Sequence, residues 1–102
     1  MLNQVILVGK IHNIIHSIKK LKGKVISVRL TCPRPEDNTI IDNPKIIIPE
    51  VLSEQLTEYL TDGQVLGVKG RIQTEEKGNY NTVQIIVAEK VTFINPNSDD
   101  HD

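Results

Sequence analysis

The sequence predicts a mainly β domain of five strands with one helix between the third and fourth, the element order of a Greek-key barrel. Two observations carry that prediction. Apolar and polar residues alternate with a period of two along much of the chain, most strictly where Ile26, Val28, Leu30 and Cys32 take one side and Val25, Ser27, Arg29 and Thr31 the other. The period turns helical once, where Val51, Leu52, Leu56, Tyr59 and Leu60 recur between Pro49 and Asp62-Gly63.

The elements follow in order. Residues 2–11 read as a buried strand, because Val5-Ile6-Leu7-Val8 is continuous and β-branched; both faces read as covered, and Gly9 marks a bulge or bend. Residues 13–23 hold Ile14, Ile15, Ile18 and Leu21 among three lysines, a spacing that fits a short helix or an irregular strand extension equally well. The second strand, residues 24–32, is half-buried and ends at Pro33-Arg34-Pro35, which removes two backbone donors ahead of the turn residues Glu36-Asp37-Asn38. Two strand pieces surround Asp42-Asn43-Pro44, and Ile46-Ile47-Ile48 is their apolar half. A helix of about three turns fits residues 49–60. Strand 64–74 points Leu66, Val68 and Ile72 inward and Lys69, Arg71 and Gln73 outward, with Gly67 and Gly70 where a barrel strand must curve. Residues 75–81 form a polar hairpin tip, and Val83, Ile85, Val87, Val91 and Phe93 define a last strand that breaks at Asn95-Pro96. One domain spanning 1–94 and an acidic, disordered tail over 95–102 are the expected organisation.

Composition narrows the function classes. Hydrophobic residues at 38% and charged residues at 25% suit a soluble folded chain. Cys32 is the single cysteine, which excludes an intramolecular disulfide or a cysteine zinc cluster and favours a reducing, cytoplasmic setting. Lys10 follows the apolar run at 5–8 instead of preceding it, and no stretch nears the roughly 18 apolar residues of a membrane span, so neither secretion nor a membrane role is expected.

The net charge of −1 hides a division. Lys10, Lys19, Lys20, Lys22, Lys24, Arg29 and Arg34 stand in the first 35 residues with no acid among them, whereas the remainder carries five basic and thirteen acidic side chains. A polyanion is the expected partner of the basic part. Four of those lysines cluster between the first two strands. Arg29, Lys69 and Arg71 project from polar strand faces, and with that cluster and Lys77 they define a candidate cationic trough. His12 and His16, four apart, have no third ligand in view, so neither metal nor cofactor is expected. No nucleophile, base or phosphate loop can be assembled, and an enzyme is not expected.

The run Met1-Leu2-Asn3-Gln4-Val5-Ile6-Leu7-Val8-Gly9-Lys10 resembles the opening strand of bacterial single-stranded DNA-binding proteins, which begin with Asn, aliphatics and Val-Gly-Arg or Val-Gly-Lys. Residues 60–74, from Leu60-Thr61-Asp62-Gly63 through Val68-Lys69-Gly70-Arg71-Ile72, resemble that family's passage from helix to fourth strand, with Asp62-Gly63 in place of Lys-Gly. The resemblance implies an OB-fold, a homo-oligomer (dimer or tetramer), and binding of single-stranded DNA in replication, repair and recombination, with RNA left open. The chain departs from the family in having no tryptophan. Pro49 stands where the family places an aromatic at the end of the third strand. Tyr59 and Phe93 read as packing, which leaves Tyr80 at the hairpin tip as the candidate base-stacking side chain. The tail Ser98-Asp99-Asp100-His101-Asp102 lacks the family's terminal Pro-Phe. Phosphate contact survives such losses, so non-specific strand binding by Lys10, the lysine cluster, Arg29, Arg34, Lys69, Arg71, Lys77 and Tyr80 is the first expectation. The alternative is an accessory, protein-binding subunit of a primosome or replisome, with replication proteins as partners and little affinity for nucleic acid.

Overall fold

Alternation gives each strand one apolar side, and closing the sheet on itself buries all of those sides at once. The computed structural model, which describes residues 1–16, 26–56 and 59–94, contains β1 (Val5–His16), β2 (Ile26–Arg34), β3 (Asp37–Asp42), β4 (Lys45–Ile48), α1 (Glu50–Leu56), β5 (Val65–Glu76) and β6 (Thr82–Ile94). Neighbours follow the order β1-β5-β6-β4-β2-β3, and an additional β1–β2 pairing closes the ring. Five strands therefore make the barrel expected of an OB-fold. β3 lies outside it, paired with the end of β2 as a projecting arm. Ile11, Ile26, Val28, Leu30, Ile46, Ile48, Leu66, Val68 and Ala88 fill the interior. Leu52 and Leu56 of the helix pack against that core, to which Leu60 belongs.

One open reading is settled in favour of an irregular strand extension, and several elements differ from expectation. The segment after Ile11 is strand through His16, so His12 and His16 belong to an extended chain and not to a helix face; residues 17–25 lie outside the described part. The bulge of β1 falls between Ile11 and Asn13, not at Gly9. Gly9 answers a different need: a Cβ there would sit 2.8 Å from both the Thr31 carbonyl oxygen and the Cys32 sulfur. Nor is β1 covered on both faces, because Ile6 and Val8 are 71% and 56% exposed. β2 runs through Pro33 to Arg34, with a register shift between these two residues. Proline is tolerated at such a bulge because the ladder is already interrupted there. The helix is shorter than three turns. Val51 stands in solvent, whereas the backbone N–H groups of Leu52 and Ser53 both donate to the Pro49 carbonyl, at 3.0 and 2.8 Å.

Asn3 extends the β1–β5 ladder with its side chain. Its Nδ2 donates to the Ile72 carbonyl at 2.8 Å, and its Oδ1 accepts from the Ile72 N–H at 2.9 Å. A side-chain amide thus takes the place of a backbone pair beyond Val5 and Gly70, the last partners of the ladder.

Candidate nucleic-acid interface

Because the interior takes every second residue, the barrel's outer surface is set by the residues between. On β2 and β4 these are Ser27, Arg29, Lys45 and Ile47, and the antiparallel register makes Arg29 the direct partner of Lys45 and Ser27 that of Ile47. β6 runs parallel to β4, with Ile47 opposite Val87. Ile47, Ile85 and Val87 consequently pack together as a small cluster separate from the core. This cluster forms an aliphatic floor beneath the outer surface of the barrel, with Ile47 and Ile85 buried and Val87 half-buried.

Cations rim that floor. Arg29, Lys45 and Lys77 border a shallow groove of ≈ 340 Å³ with Val83, Gln84 and Ile85. Arg29 Nη1 donates to the Asn43 carbonyl at 2.8 Å, and Asn43 Nδ2 donates to the Leu30 carbonyl at 3.1 Å, so the guanidinium is anchored at the mouth of the β3–β4 connection. Lys77 enters from the β5–β6 hairpin, 3.8 Å from Glu75. Among the described residues no carboxylate lies within 4.0 Å of Arg29 or Lys45. Like charges placed directly opposite destabilise a sheet by some tenths of a kcal/mol to about 1 kcal/mol. An anion over the pair would reverse that sign.

The other candidates are distributed around this groove. Lys10 stands on the outer side of β1, level with Thr31 of β2 and Val65 of β5. Lys19, Lys20, Lys22 and Lys24 lie outside the described residues. Arg34 is committed to the arm: its Nε and Nη2 donate to the two oxygens of Asp42 at 3.0 and 3.1 Å. That bidentate contact holds the Asp42 carboxyl below its ordinary range, and the Thr39 hydroxyl and N–H do the same for Asp37. Arg71 lies on the outer side of β5 opposite Val87, bonded to Gln73 at 2.9 Å and 4.0 Å from Glu89. Lys69 is farther along the same side, opposite Lys90. The groove therefore brings Arg29 and Lys77 together, with Lys69 and Arg71 on an adjoining part of the surface and Arg34 neutralised by a carboxylate.

Tyr80 projects fully into solvent at the hairpin tip. Three successive residues there, Gly78, Asn79 and Tyr80, have φ of 76°, 50° and 63°. Left-handed backbone costs an ordinary L-residue roughly 1–2 kcal/mol, and a large aromatic is an unusual occupant. The loop is held by Lys77 N–H to the Asn81 carbonyl at 2.8 Å and Asn81 N–H to the Gly78 carbonyl at 2.9 Å. Phe93 packs against the core, while Tyr59, although 61% exposed, meets Phe93 edge to face at 6.3 Å and 69°.

Sequence reasoning missed Lys45, Lys90 and the floor of Ile47, Ile85 and Val87. Alternation alone would have turned Lys45 and Ile47 outward together, but only the strand register shows which cation faces which.

No family model and no curated protein matches the sequence. Solved structures do match. The dimeric N-terminal domain of PriB from Thermoanaerobacter tencongensis superposes with a TM-score of 0.71 at 22% identity, covering 91% of this chain and 97% of that one. The Plasmodium falciparum SSB in complex with ssDNA gives 0.71 at 18% identity, over 93% and 97%. The mitochondrial single-stranded DNA-binding protein Rim1 of S. cerevisiae gives 0.70 at 15% identity, over 89% and 94%. At these identities the shared property is the fold, an OB barrel.

Proposed function

We propose that the chain binds single-stranded DNA without strong sequence preference, chiefly through phosphate contacts, and serves replication, repair or recombination as a binding module rather than an enzyme. The observation that carries this reading is the facing pair Arg29 and Lys45 above an aliphatic floor, on the strand face and beside the hairpin with which OB-folds hold oligonucleotides. Phosphates would meet the cations, and bases would lie against Val83, the exposed aliphatic side chain of the groove. Two of the solved structures described above are of single-stranded DNA-binding proteins, which supports the reading. Among the described residues no helix is long and apolar enough to cross a membrane.

Titration of labelled oligothymidine at several salt concentrations tests it. With three groove cations contacting phosphates, the logarithm of the binding constant should fall against log salt with a slope of about −2 or steeper, at roughly −0.7 per phosphate. Negligible binding at both low and high salt would refute the proposal. Tyr80 supplies a second readout. Replacing it with glycine should leave the melting temperature unchanged or raised, since glycine accepts positive φ, while binding weakens by about 1–3 kcal/mol for the lost stacking. Tyr80→Phe should retain both properties. A Tyr80→Gly protein that bound as tightly as the parent would remove Tyr80 from the interface.

We propose also that the chain forms a homo-oligomer through β1. Residues 5–7 pair only with β5, which leaves their other edge open to a second copy before β2 closes in at Val8 and Gly9.

A further inference from the structure

An adjoining part of the barrel wall, farther along β5, also pairs two cations across a ladder. Lys69 and Lys90 are register partners across β5 and β6, and Ile6 is the partner of Lys69 on β1, so Ile6, Lys69 and Lys90 form one row on the outer side of three strands. The next row is Val8, Gly67 and Thr92. Gly67 contributes no side chain, and a depression of ≈ 250 Å³ opens along these two rows. Both lysines are exposed, and among the described residues no carboxylate lies within 4.0 Å of either. Glu89, next to Lys90 in the chain, is directed toward Arg71. Facing cations beside aliphatic side chains thus occur twice on this barrel, with Ile6 and Val8 open here and Ile47 and Ile85 buried at the groove. Arg71 stands between the two places, opposite Val87 of the groove floor and two residues from Lys69. The distance along β5 from Gln73, which faces Ile85 at the groove, to Lys69 is roughly 13 Å at the usual strand rise.

We infer that Lys69 and Lys90 form a second phosphate-binding strip, and that a single strand held in the groove continues past Arg71 over the outside of the β5–β6 ribbon to reach them. The inference rests on the strand-binding function proposed above. The choice of occupant follows from charge. A second copy packed face to face on these rows would bring four uncompensated lysines into one contact, which like-charge repulsion opposes, whereas a phosphodiester backbone neutralises them. Subunits paired along the edge of β1 would leave the rows uncovered.

The test compares the full chain with its K69Q/K90Q variant against two oligothymidines, one of about 8 nucleotides, within the site size of a single OB barrel, and one of about 30. Sedimentation of both proteins accompanies the titrations. The short strand should bind the variant within about twofold of the parent. The long strand should bind it about tenfold more weakly, with a salt slope shallower by about 1.4 for two lost phosphates, and the mass should not change. Unaltered affinity and slope for the long strand, with the short strand still bound, would overturn the second strip and leave the groove standing. A change in mass would make the rows a subunit contact and overturn it as well. Failure of the parent to bind either oligonucleotide would overturn both proposals.

Discussion

Gly70→Ala is expected to destabilise the barrel by about 3 kcal/mol or more, out of a total of roughly 5–15 kcal/mol for a domain of this size. Gly70 lies where the β5–β6 register shifts: Lys69 faces Lys90, Gly70 faces Ala88, and Glu89 is the extra residue. At that bulge β6 folds closely onto β5, and a Cβ on Gly70 would run into the Val87 carbonyl oxygen, with the Val87 carbonyl carbon at 3.0 Å. Those are backbone atoms held in the sheet on both sides. They cannot turn away as a side chain would, so relief requires opening the bulge that curves the sheet. Gly67→Ala is the control, because the nearest atom there is Cδ1 of Ile94 at 3.2 Å, the end of a rotatable side chain. Urea denaturation of the two variants should give a large drop in midpoint for Gly70→Ala and a small one for Gly67→Ala. Equal midpoints would mean that the ribbon tolerates a straight passage at position 70.

That glycine was legible in the sequence because an alternating strand had no other reason to carry two glycines three residues apart. The inward sets of β2 and β5 were legible for a similar reason, since side chains alternate strictly whatever the strand pairs with. Ile72 shows the limit of that argument: it lies on the inner side of β5 but is 44% exposed, because the β5–β6 ribbon extends beyond the barrel there. What periodicity could not supply is the identity of the neighbour across the ladder. The missing N–H of Pro33 predicts the end of the second strand, yet in the structure the proline sits at a bulge of the arm, where the missing donor matters less. Arg34 reads as a free cation in the sequence, whereas the arm folds Asp42 against it. The expected trough was likewise drawn from outward-facing residues taken strand by strand. Register divides it into a groove that contains the unpredicted Lys45 and a row farther along β5.

The facing of Arg29 and Lys45 also separates a binding role from a structural one by sign. If their proximity serves only the fold, removing one charge has no cost beyond packing. If it serves a polyanion, Lys45→Gln should stabilise the free protein by up to about 1 kcal/mol through relief of like-charge repulsion, while making the salt slope of oligothymidine binding shallower by about 0.7. Lys45 is the cleaner member of the pair, because Arg29 also bonds the Asn43 carbonyl and its replacement would loosen the β3–β4 connection. Reversal of both, in R29E/K45E, should reduce affinity at low salt by about a hundredfold, since two attractive phosphate contacts become repulsive. Melting temperature and binding constant measured on the same Lys45→Gln protein should therefore move in opposite directions. A protein that gained stability with unchanged affinity would show that the strand passes elsewhere, and one that lost both would show that Lys45 is part of the scaffold.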